Sequence, residues 1–143
     1  MRFIYALFFL VATPLHAWEF SATQVCALTH ATQEISVRVT YDPRVPEYTI
    51  ALTRLASVWS DAPVFILRFD GPHRKSISTT THRLSEDGAT LTVTDSGFGN
   101  VLDGLELNDS ATALVGVTQV TFPLSGADTA VQAFRTCVES VFT

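Results

Sequence analysis

The chain predicts a mainly β fold, an antiparallel sandwich or partly open barrel of about seven or eight strands with one C-terminal α-helix packed on it. Three observations lead there. Apolar and polar residues alternate in several short runs. Turn chemistry built from Pro, Gly and Asp separates those runs at intervals of roughly eight to fourteen residues. The last twenty or so residues then switch to the three-and-four spacing of a helix. A strand buries one face and a helix one stripe, so the combination closes a small core.

Taken in order, Met1 and Arg2 form a short basic head, an apolar run follows, and the segment ends on Ala17. This is the layout of a signal peptide covering residues 1–17. Its apolar run is shorter than the roughly 20 residues that cross a bilayer as a helix, so no transmembrane anchor is expected. Residues 18–143 then read as a single β-rich domain, periplasmic or secreted.

That domain opens with Trp18 and Phe20, and residues 25–28 read as its first full strand. In residues 34–41, Ile35, Val37, Val39 and Tyr41 fall on one face and Ser36, Arg38 and Thr40 on the other, the mark of a half-buried strand. Pro43 and Pro46 break it, because proline removes a donor and restricts the residue before it. Tyr48, Ile50 and Leu52 restart the alternation as a hairpin partner. Residues 64–69 are denser in apolar side chains and predict a central strand, closed by the turn signal Asp70-Gly71-Pro72. Residues 73–85, polar but rich in Ser and Thr, suit an edge strand, and 91–95 a short one.

Residues 96–109 break the rhythm: Val101, Leu102 and Leu105 allow either one helical turn between glycines or a loop that folds Phe98 inward. Residues 111–124 return to strand, with Gly116 marking a bulge or a close approach. Ala127, Ala130, Val131, Phe134, Cys137, Val138 and Val141 then follow a helical stripe. Ser125 and Asp128 resemble a capping box in which Asp replaces Glu or Gln.

Two cysteines in an exported chain predict one disulfide, Cys26 to Cys137. Closing a loop of roughly 110 residues contributes up to about 4.7 kcal/mol by restricting the unfolded chain. The formal net charge is -5, and Lys75 is the single lysine. A chain of that sign lacks the basic face that nucleic acid or an anionic membrane surface needs.

The search for chemistry returns mostly exclusions. The glycines of residues 96–104 fail G-x-G-x-x-G because Leu102 stands where the third belongs, and no phosphate-binding loop motif occurs. His30, His73 and His82 show no paired spacing, and a disulfide removes both cysteines as ligands, so neither a metal site nor a cofactor is expected. Asp103, Glu106, Asn108 and Asp109 offer oxygen ligands without calcium-loop spacing. Asn108-Asp109-Ser110 is formally a glycosylation sequon. His73, Arg74, Lys75, His82 and Arg83 gather positive charge, either as a patch for an anion or acidic partner or as protection of an edge strand. Phe98, Asn100 and Asp103 make the candidate binding loop. A hydrolase would have to use Ser96 with His82 and Asp95, without the usual nucleophile elbow.

Residues 120–137, VTFPLSGADTAVQAFRTC, resemble the C-terminal end of exported alphaproteobacterial proteins related to invasion-associated locus B. Those similarly end in a strand, a small-residue turn and an alanine-rich helix, although Ala127 stands where an aromatic often follows the glycine. The resemblance implies a periplasmic or envelope β-rich domain, brings no catalytic residues, and carries host-interaction roles in some pathogens. The expected function is therefore that of a non-catalytic binding or accessory protein of the cell envelope, a monomer whose protein or small-molecule partner is unknown. An inhibitor of a hydrolase, acting through a protruding loop, is the alternative, and a small hydrolase the third.

Overall fold

The computed structural model describes residues 17–141, so the expected leader, apart from Ala17, lies outside the described residues. Among these, ten strands and two helices build two antiparallel sheets around one hydrophobic core, a sandwich and not a closed barrel. The strands are β1 (Glu19–Ala22), β2 (Cys26–Ala31), β3 (Ile35–Asp42), β4 (Glu47–Arg54), β5 (Phe65–Asp70), β6 (Lys75–Thr79), β7 (Arg83–Leu84), β8 (Thr90–Asp95), β9 (Ser110–Val115) and β10 (Thr118–Pro123). The helices are α1 (Gly99–Leu107) and α2 (Ala127–Ser140). One sheet runs β1-β2-β3-β4-β8-β7 and the other β10-β9-β5-β6.

The predicted hairpin is β3 with β4. Its register pairs Tyr41 with Tyr48, Val39 with Ile50 and Val37 with Leu52, so the alternating apolar residues of both strands reach the core face together. The turn between them is set by Asp42, whose Oδ1 accepts the Arg44 backbone N–H at 2.9 Å while its carboxylate pairs with the Arg44 guanidinium. Those hydrogen bonds hold the Asp42 carboxyl below the usual carboxylate range. As expected, β5 is central, flanked by β6 and β9.

Four local expectations are corrected. The strand expected at residues 25–28 is β2, and a shorter strand, β1, precedes and pairs with it. Residues 73–85 form two edge strands, because β6 loses its partner where β5 begins (Phe65 opposite Thr79) and the chain crosses to the other sheet as β7. Of the two readings of Gly116 the close approach holds and the bulge does not: Val115 pairs with Thr118, Gly116 at φ 54° supplies the positive-φ position of the two-residue turn, and a Cβ on it would lie 3.2 Å from Ala62 Cβ. Helix α2 starts from Gly126, with φ 79° and no side-chain cap, so Ser125 and Asp128 form no capping box. Asp128 still sits in the first turn, where a carboxylate complements the helix dipole.

The stripe on α2 is otherwise as read: Ala127, Ala130, Val131, Phe134 and Val138 are buried, while Val141 beyond the helix is 42% exposed. The helix lies on β1, β2 and α1. Cys137 is bonded to Cys26 at the start of β2, with a sequence separation of 111.

Those contacts close one flank of the sandwich. There the Trp18 indole N–H donates to the Pro123 carbonyl at 3.1 Å, and its ring stacks on His30 and tilts against Phe122. The edge of the first sheet is thereby fastened to the edge of the second. On the opposite flank the edge strands are β6 and β7, joined by the crossing at residues 80–82, where the His82 ring lies against Phe65.

Candidate functional site

A cleft of about 540 Å³ opens on that second flank. Burial traces the opening along single strands. Leu91 and Val93 point the same way on β8, yet Leu91 is fully buried and Val93 only half-buried. Across the gap Leu67 on β5 is buried while its neighbour Ile77 on β6 is half-buried.

The floor is apolar, made by Ile50, Phe65, Leu67, Ile77, Val93, Phe98 and Val101. The rim is polar, lined by Ser78, Thr79, Thr81, Thr94, Asp95, Asn100 and Asp103. Few polar groups above an apolar floor is the usual composition of a small-molecule site.

Helix α1 closes one end, and its position follows from packing. Leu102 and Leu105 are buried, and a Cβ on Gly104 would lie 2.3 Å from the ring of Phe69, so only glycine lets the helix approach β5 this closely. Asn108, just past the helix, is buried and fastens it to the β5–β6 turn. Its Nδ2 donates to the carbonyls of His73 and Gly104, and its Oδ1 accepts the His73 N–H at 3.0 Å. That amide is therefore fully engaged in the fold and is no accessible glycosylation acceptor. At the other end Phe98 is 4% exposed and stacks on Tyr48 with ring centroids 5.4 Å apart. Burial raises the Tyr48 phenol above its ordinary range, with the neighbouring Tyr41 adding to the rise.

All three residues of the expected binding loop, Phe98, Asn100 and Asp103, line this cleft. Phe98 does so from within the core, not from a protruding tip, which removes the exposed aromatic that a loop-inserting inhibitor would present. Most of the remaining lining residues come from β4, β5, β6 and β8; the sequence assigns none of them to a binding site, and Asp95 enters it only as a hydrolase candidate. The half-polar neighbourhoods of Ile77 and Val93 were the available signal, and periodicity alone does not distinguish a core position from a cleft floor.

The basic residues do not converge. His73, Arg74 and Lys75 stand at one end of β6 and His82 and Arg83 beyond the other, separated by about 13–16 Å of strand. Arg74 lies 3.6 Å from Asp70. Charges at both ends of an edge strand also hinder pairing with another chain.

The hydrolase trio is not assembled either. Ser96 donates through its N–H to Asp95 at 2.6 Å, whereas His82 Nε2 donates to the Ala62 carbonyl at 2.9 Å. A carbonyl partner requires a proton on Nε2, and Nδ1 is buried without a hydrogen-bond partner. His82 instead lines a second hollow of about 470 Å³ with Trp59 and Glu86.

Of the calcium candidates, Asp103 and Glu106 both face Arg135, at 2.6 and 3.6 Å, and no metal-holding group of His, Cys, Asp or Glu occurs among the described residues. None of the helices among the described residues is long and apolar enough to cross a membrane. Against known proteins, no family model, no curated protein and no solved structure matches the chain.

Proposed function

We propose that this protein is an exported, non-catalytic binding protein of the cell envelope that acts as a monomer and receives a small ligand with an apolar body in the open flank of its sandwich. The observation that carries this reading is the cleft itself. About 540 Å³ lies inside the range of roughly 300–1,000 Å³ typical of small-molecule sites, and an unfilled apolar floor of that size gains from being covered.

The surroundings support a receptor role. The closed flank is held by the disulfide and the Trp18 anchor, so the two sheets stay in place while the other side is left accessible. A preformed site of this kind avoids ordering costs on binding. The disulfide suits an oxidising compartment, which supports export together with the leader-like start and the C-terminal resemblance.

The test is calorimetric titration with a neutral probe, 4-phenylbutanol, combined with amide chemical-shift mapping. Binding with shifts centred on Ile77, Val93 and Phe98, lost in Val93→Trp, is the expected result. Heat-silent titration, or shifts confined to the closed flank, would overturn the reading. Mass spectrometry of protein recovered from the periplasm tests export separately, with Trp18 expected as the first residue.

A further inference from the structure

The rim of the cleft is unbalanced in charge. It carries two carboxylates, Asp95 and Asp103, and no Lys, Arg or His. Asp103 has a counter-ion in Arg135, but that guanidinium also faces Glu106, so two carboxylates share one cation. Asp95 has none. Its Oδ1 accepts the backbone N–H and the hydroxyl of Ser96, at 2.6 and 3.3 Å, and these neutral donors leave the other oxygen facing solvent.

One positive contribution opposes them. The first turn of α1 lines the same mouth with no side-chain cap and no acidic residue of its own. A helix N-terminus is worth roughly half an elementary charge. Set against a full charge at Asp95 and another left over in the Asp103, Glu106 and Arg135 group, it does not reverse the sign.

From this imbalance, and resting on the reading of the cleft as a ligand site, we infer that the ligand is an amphipathic amine: an apolar body on the floor and a protonated ammonium at Asp95. Ammonium has three donors and no acceptor. It therefore offers Asp95 a charged donor, with further donors to spare for the polar residues of the same rim. A carboxylate head would find the weak helix terminus but meet two anions.

The experiment compares three probes that share one apolar body, 4-phenylbutylamine, 4-phenylbutanol and 4-phenylbutyrate, titrated into the protein at low and high salt. The amine is expected to bind about fivefold tighter than the alcohol, the size of a partly exposed ion pair, and the acid more weakly than either. The amine's advantage shrinks as salt rises. In Asp95→Asn, which keeps the acceptor for Ser96, the gap between amine and alcohol closes. If all three probes bind alike, or the acid binds best, with shifts in the cleft, the amine inference is wrong and the cleft remains a ligand site. If none of the three binds there, both readings fall. A gap that persists unchanged in Asp95→Asn places the charge preference elsewhere and overturns this assignment.

Discussion

Replacing Gly104 with alanine sets helix propensity against packing, and the structure says packing wins. In an exposed helix interior the change would stabilise the fold by about 0.8–1.0 kcal/mol, because glycine is the poorer helix former. At position 104 the new Cβ would lie 2.3, 2.3 and 2.6 Å from three ring atoms of Phe69. Restoring ordinary contact requires a displacement on the order of 1 Å. Phe69 has nowhere to go, being fully buried on the central strand β5 between β6 and β9. The helix must move instead, at the roughly 1–3 kcal/mol typical of overpacking. Net destabilisation of about 0–2 kcal/mol remains once propensity is subtracted, towards the upper figure for a displacement of this size, or up to about 10 °C in Tm.

Guanidinium denaturation followed by Trp18 and Trp59 fluorescence measures it, with Phe69→Leu completing a double-mutant cycle. In the Phe69→Leu background the alanine should turn neutral or stabilising. Because Val101 and Asp103 ride on α1 and line the cleft, the alanine variant should also bind the probes more weakly. If Gly104→Ala proves as stable as the parent, or costs the same with and without the phenyl ring, the Phe69 contact is not what excludes a side chain there.

Three further expectations follow from the same coordinates. Replacing both Cys26 and Cys137 with alanine should cost about 2–5 kcal/mol through the long loop they close, read as a lower denaturation midpoint; a midpoint unmoved by the change or by reductant would contradict it. Asn108→Ala, which deletes two hydrogen bonds to His73 in the β5–β6 turn and one to the Gly104 carbonyl of α1, should lose about 2–3 kcal/mol, and faster amide exchange at α1 should accompany it. Tyr48, raised by burial, holds its proton more tightly folded than unfolded, so its contribution is fully present below the ordinary tyrosine value of 10.0 and fades as pH climbs through that value and the folded one. Alkaline stability curves of the parent and Tyr48→Phe should therefore converge or cross in that window, and parallel curves would show that the phenol is not involved.

Much of this fold is legible in single stretches of chain. The alternation at residues 35–41 and 48–52 identified the hairpin, because side-chain direction in a strand has a period of two and needs no distant partner to specify it. The stripe through Ala130, Val131 and Phe134 identified the helix for the same kind of reason, and two cysteines permit a single intramolecular pairing. Residues 96–109 were ambiguous because a nine-residue helix whose apolar positions Val101, Leu102 and Leu105 are interrupted by Gly104 carries too little periodic signal. The binding loop was recognised from its departure from the strand rhythm, while its neighbours in the cleft were not.

The amino-acid sequence by itself determined the main strands and the C-terminal helix, the disulfide partners and the net negative charge, since these depend on residue types and short spacings. The tertiary structure alone decided which sheet each strand joins, why residue 104 is glycine, and that one flank is fastened while the other stands open. Those outcomes depend on pairings between residues far apart in the chain. No local pattern records that Trp18 meets Pro123 or that Ile77 and Val93 line one cleft, and it is that cleft, with Asp95 among its lining, on which the proposed function rests.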